Sequence, residues 1–139
     1  MRLLDELLNE LKAANAPCAG WVVVPTHYHL LTRPVSLSTL KEPLRRAHAR
    51  IALELNRRHG TPGRQVWYRF TDRLIRSESH YYATLNYIHY NPIKHGYARN
   101  ALSWSCSSVH WYVEHLGIEW LRECWRTYPP LDYGKDWDQ

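Results

Sequence analysis

Residues 19–33 read AGWVVVPTHYHLLTR, and the fold turns on how this stretch is parsed. Residues 19–24 are apolar and end in three β-branched valines, which predicts a buried strand. Pro25-Thr26 makes a turn or kink, residues 27–33 resume as a second strand, and Pro34 closes it. In a strand, positions i and i+2 point to one face, so His27 and His29 present two imidazoles that can grip one ion. By itself the pair is weak evidence. Nine histidines in 139 residues give roughly 0.5 such HxH pairs by chance, and two surface or edge-strand histidines are the plain alternative.

Working outward from the hairpin, Leu3, Leu4, Leu7, Leu8 and Leu11 recur at helical spacing, predicting a first helix over residues 3–15 that ends at Pro17. Beyond Pro34, Ser36 or Ser38 can cap a long helix through His59, with Leu37, Leu40, Leu44, Ala47, Ile51 and Leu55 as its apolar stripe. After the loop HGTPG (59–63), residues 66–75 (VWYRFTDRLI) read as a third strand. Ser77 caps a helix to about Asn91, where Pro92 ends it. A further amphipathic helix is expected over residues 113–125, then a frayed acidic tail. Strands and helices mixed in this way indicate an α+β fold.

The composition narrows the partner. Of 18 aromatics, 10 are Tyr and 7 are Trp, and of 18 basic residues 14 are Arg by count along the chain, with a formal charge of +5. Residues 33–76 hold 11 Lys/Arg against Glu42, Glu54 and Asp72, a local +8; residues 114–139 hold six acids against three bases, a local −3. Such a chain suits phosphate contacts and base stacking, so nucleic acid is the first partner to test. A solvated helix face is the bland reading of the same charge. No apolar run approaches the roughly 18 residues of a membrane span. The start lacks a secretory pattern, and Cys18, Cys106 and Cys124 form no CxxC pair, which suits a reducing cytoplasm.

A second candidate site lies on the helix after Ser77. Tyr87 and Asn91 are four residues apart and so share a face, continued by His80 and Thr84. Tyr81, Leu85 and Ile88 form a separate apolar stripe that would seat the helix on the sheet. A tyrosine nucleophile must lose a proton of pKa ~10, so it needs a nearby cation and an electron-poor phosphorus. A divalent ion held by two His and one amide oxygen could polarise a phosphate. From spacing alone, a packing role for Tyr87 is the commoner one.

These residues together resemble a known family. VVVPTHYHLLTRP (22–34) is similar to the hydrophobic strand, Pro, His-x-His signature of HUH single-strand nucleases. LNYIHYNPIKHGYA (85–98) followed by SWSCSS (103–108) resembles the YIxxNPxxxG…WSS signature of REP-associated tyrosine transposases. These are relatives of small insertion-sequence transposases with a single catalytic tyrosine. ARIALELNRRHG and VWYRFTDRLI fit the family's long helix and following strand, so the resemblance covers roughly residues 3–112. It implies a ferredoxin-like (RRM-like) antiparallel sheet with helices on one face and C-terminal helices added. On this reading residues 1–128 are the HUH transposase-like domain and residues 129–139 the tail.

Carried over residue by residue, the resemblance makes His27, His29 and Asn91 ligands of Mg²⁺ or Mn²⁺ and Tyr87 the nucleophile. Single-stranded DNA would be cut beside a hairpin, leaving a 5′-phosphotyrosine and a free 3′-OH that can rejoin it. Arg33, Arg46, Arg50, Arg57, Arg58 and Arg64 would track phosphates, with exposed Trp and Tyr stacking on unpaired bases. Lys94 would neutralise the phosphate or be simply solvated. The family's opening strand precedes the first helix; this chain starts in that helix, so the strand is expected to be missing, or its slot filled by another segment or subunit. Two rival readings stand beside this one. One is a catalytically inactive hairpin-binding derivative; the other, weaker, is a replication-initiator-like or relaxase-like nuclease.

Smaller features have structural readings first. His89, His95 and His110 are read as loop or surface histidines, with proton transfer to the leaving oxygen as the alternative. Trp104 reads as a core anchor whose indole N–H meets a carbonyl, and Cys106 and Cys124 as small core residues. Trp120, Leu121, Cys124 and Trp125 would pack the last helix or meet a second copy in a homodimer.

Overall fold

The computed structural model describes residues 2–68 and 70–130. Their elements run α1 (Arg2–Ala13), β1 (Cys18–Val23), β2 (Tyr28–Thr32), α2 (Lys41–His59), α3 (Glu78–Lys94), α4 (Val109–Leu116) and α5 (Ile118–Thr127). Single 3₁₀ turns stand at Leu37–Leu40 and Ala101–Ser103. The chain is α+β, with β1 and β2 paired antiparallel. Residues 131–139, most of the expected acidic tail, lie outside the described residues.

The described chain divides into two units. The first comprises residues 2–18 and 32–73. In it α1 packs on α2 through the leucine spacing anticipated above, with Leu7 and Leu11 buried on one helix and Leu44, Ala47 and Ile51 on the other. Gly60 ends α2 in a left-handed conformation, its N–H returning to Arg57 O.

The second unit comprises residues 19–31 and 74–130 of the described chain. Its core joins Val22, Val24 and Leu31 of the hairpin segment to Leu85 and Ile88 of α3 and Tyr112 of α4, with Tyr81 and Trp104 packed against it. The apolar stripe of α3 thus seats the helix on the hairpin as its spacing predicted. Gly20 lets it come close: a Cβ there would lie 2.7 Å from Leu85 Cδ1. Trp104 donates its indole N–H to Val23 O (2.9 Å), as a core anchor should. The adjoining residues line the outer side of β1: Val23 N–H donates to Cys106 O, Ser108 N–H donates to Trp21 O, and Val22 bridges Ser107 antiparallel.

Three expectations fail. Among the described residues, 66–75 form no strand, and the sheet comprises β1 and β2. Alternation signals a strand only if a partner accepts its hydrogen bonds and one face is covered. Here Tyr68, Phe70 and Leu74 are exposed, while Trp67 turns away to stack on His48 (ring centres 4.3 Å apart). Pro92 does not end its helix: α3 runs on through Pro92 to Lys94. A proline near a helix end forfeits one N–H bond and leaves the following residues free to stay helical. Finally, the single helix expected over 113–125 is two, broken at Gly117, whose φ of 90° favours glycine.

Candidate active site

The second unit holds every residue of the HxH and Tyr/Asn constellation. The period-2 geometry of β2 turns His29 and Leu31 to one face, with His27 two residues before His29. Leu31 enters the core, and the His29 ring meets the Tyr87 ring edge-on with centres 5.4 Å apart. His27 meets His29 in the same edge-on manner at 5.2 Å. Its Nδ1 is engaged by Thr26 Oγ1 at 2.9 Å, which leaves Nε2 to point elsewhere.

On α3 the N-cap is Ser77, whose Oγ accepts from His80 N–H at 3.1 Å, fixing the start of the helix. Tyr87 and Asn91 follow on one face, 1% and 0% exposed. The extra turn past Pro92 brings Lys94 onto that face too, seven residues beyond Tyr87. Its Nζ donates to Tyr87 Oη at 3.1 Å and lies 5.0 Å from the ring centre. His95, just past the helix end, packs its ring on His27 at 4.8 Å and stacks on Tyr97.

The donor chemistry fits a divalent ion. Among the described residues no three His, Cys, Asp or Glu side chains converge as a metal-binding group; the Asn91 amide is the oxygen donor that the sequence reading adds to the two imidazoles. His27 Nε2, His29 Nε2 and Asn91 Oδ1 are buried atoms with no hydrogen bond among the described residues, although each of the three residues has contacts of its own. Two imidazole nitrogens and one amide oxygen would make an incomplete shell for such an ion, with positions left for substrate oxygens.

Neighbouring groups are poor competitors for these roles. Burial pushes the Tyr28 phenol well above its ordinary range, so it stays neutral. Burial likewise raises the Cys124 thiol, which sits in the core as expected. His89 is not a loop or surface histidine. It is fully buried, with Nε2 2.8 Å from Ser108 Oγ, and burial followed by the nearby His110 depresses it to about 3. It is therefore neutral and structural. His110 is exposed, with Nε2 2.8 Å from Trp104 O.

In the first unit, several arginines assigned to phosphates already have carboxylate partners. Arg46 and Arg50 both bind Glu10 (2.8 and 2.7 Å), and Arg50 also binds Glu6 at 2.9 Å. The Arg46 hydrogen bond, then that of Arg50, holds the Glu10 carboxyl below its ordinary range. Arg58 pairs with Glu54, which Arg2 also reaches at 2.8 Å. Arg64 contacts Asn56 Oδ1 and His59 Nδ1, while Arg33 and Arg57 are exposed. Sequence reasoning saw the arginine face but not the carboxylates of α1 laid against it. It also missed His95 beside His27, a proximity readable only if α3 continues past Pro92.

No family model matches the chain. Among curated proteins it is similar to a REP-associated tyrosine transposase of Haemophilus influenzae, 31% identical, the match spanning 92% of this chain and 81% of that protein. It is also similar to the REP-associated tyrosine transposase of Escherichia coli, 26% identical over 84% of this chain and 62% of that one. A solved structure of a REP-associated tyrosine transposase bound to a REP hairpin has the same fold, with a TM-score of 0.66 and 22% identity. The match covers 83% of this chain and 67% of that one.

Proposed function

The chain belongs to the REP-associated tyrosine transposases, and from that premise we propose that it cleaves and rejoins single-stranded DNA beside a hairpin, with Tyr87 as nucleophile. The observation that carries this reading is the meeting of β2 and α3: His27, His29 and Tyr87 lie in consecutive ring contact. Asn91 stands one turn beyond the tyrosine.

The protein groups divide the work as follows. Tyr87 Oη attacks the scissile phosphorus, forming a P–O bond to the phenol while the bond from phosphorus to the 3′ oxygen breaks. The electron pair leaves with the 3′ oxygen, which takes up a proton, and the phenol loses one. DNA is left joined by its 5′ phosphate to Tyr87, and the 3′-OH can reverse the step without an external energy source. His27 and His29, through Nε2, and Asn91, through Oδ1, would hold Mg²⁺ or Mn²⁺. That ion supplies Lewis-acid polarisation of the phosphate and neutralises its charge. Exposed Arg57 and Arg33 offer phosphate contacts outside the reacting group.

Hairpin-bearing single-stranded DNA incubated with the protein and Mg²⁺ or Mn²⁺ tests the reading on a denaturing gel. A covalent protein–DNA adduct is expected, absent for Tyr87→Phe and absent with a chelator. Hairpin binding without any adduct would instead indicate a binding protein that has lost the chemistry.

A further inference from the structure

We infer that Lys94 is a positioning residue for Tyr87, holding the phenol in its buried place against His29; this rests on Tyr87 being the nucleophile. The ammonium grips the tyrosine twice, through the 3.1 Å hydrogen bond to Oη and from 5.0 Å over the ring face. A buried phenol needs a partner for its oxygen, and a partner fixed by the same helix sets the ring's orientation as well. Tyr87 is 1% exposed, whereas Lys94 is exposed at the last position of α3. Both groups of the arrangement lie on α3, so the grip is made within one helix. A phosphodiester competes for the same ammonium, because phosphate oxygens accept charge-assisted hydrogen bonds at least as well as a neutral phenol does. Arrival of substrate charge therefore loosens the tyrosine at the place where its oxygen must reach phosphorus. Lys94 thus acts through Tyr87, in addition to any direct contact with DNA.

Hydroxyl-radical footprinting of the metal-free protein, read by peptide mass spectrometry, tests this without DNA and without turnover. Tyr112, 8% exposed and hydrogen-bonded to Ala19 O, is the internal reference for general loosening. In Lys94→Met, oxidation of Tyr87 should rise about tenfold, the loss of one charge-assisted hydrogen bond, while Tyr112 stays at the wild-type level. Lys94→Arg, which keeps a cationic donor, should restore most of the protection. Unchanged Tyr87 oxidation in Lys94→Met overturns the inference. So does a parallel rise at Tyr112, which would make Lys94 a general stabiliser. Should Lys94→Met fail to fold, Lys94→Gln against Lys94→Arg gives the same comparison. The identity of the nucleophile is decided separately by the Tyr87→Phe adduct assay.

Discussion

The imidazole of His29 meets the phenol ring of Tyr87 edge-on, 5.4 Å between centres, and so ties the second strand of the hairpin directly to the helix that carries the proposed nucleophile. The proposed ion binding and attack would thereby be served by adjacent side chains, yet they are separable by substitution. His27→Ala, His29→Ala and Asn91→Ala should each weaken Mn²⁺ binding to the apoprotein by about tenfold or more, the loss typical even of outer-shell partners. Tyr87→Phe should leave Mn²⁺ binding near wild type while abolishing the adduct. Isothermal titration calorimetry measures the first effect and a denaturing gel the second. Equal loss of metal in all four variants would mean that the site collapses as a unit.

The buried pair of His89 and Ser108 predicts acid lability. A histidine depressed to about 3 in the folded protein, from 6.5 unfolded, binds its proton first in the unfolded chain. Its stabilising contribution is complete above about pH 6.5 and is lost as the pH falls toward 3, at no more than about 1.4 kcal/mol per pH unit. His89→Gln should flatten the melting-temperature profile over that interval. The depressed Glu10 carboxyl acts in the same direction in a different window, below its ordinary 4.5. A variant profile parallel to wild type between pH 6.5 and 4.5 would remove His89 from the explanation.

Arginines on α2 should separate into two classes. Arg46 is committed to Glu10, so Arg46→Ala is expected to lower the melting temperature, by about 1 kcal/mol of stability, and to change DNA affinity little. Arg57 is exposed, so Arg57→Ala should weaken hairpin binding and reduce the salt slope by about 1, with stability unchanged. Fluorescence anisotropy across a salt series, alongside thermal melts, makes the comparison. Equal effects of both substitutions on the salt slope would refute the division.

Gly20→Ala probes how tightly α3 rests on the hairpin. The added methyl would stand 2.7 Å from Leu85 Cδ1, and Leu85 is 1% exposed, with little room to turn aside. A loss of about 1 kcal/mol is expected, measured as a lower denaturant midpoint with an unchanged slope. A neutral substitution would mean that the helix shifts easily over the strands.

What could be read from the sequence was what local geometry encodes. Two-residue spacing on a strand aligned His27 with His29, and four-residue spacing on a helix aligned Tyr87 with Asn91. The stripe of Leu85 and Ile88 was visible for the same reason. What escaped depended on partners distant in the chain. The alternation of residues 66–75 promised a strand but could not say whether another strand would receive it. His89 looked polar and peripheral because nothing nearby in sequence announces Ser108. The arginine face of α2 looked open because Glu6 and Glu10 lie roughly forty residues earlier. Pro92 was weighed for the bond it removes, although the helix beyond it supplies Lys94.

The residues around Ser107 lie along the outer side of β1, spending the backbone groups of Trp21 and Val23. A β-ribbon recruits further chains only through backbone donors and acceptors that are not yet used. Beside Trp21–Val23 that edge is closed, so a strand extending this end of the ribbon, from the same polypeptide or another, joins it alongside β2, the strand that bears His29.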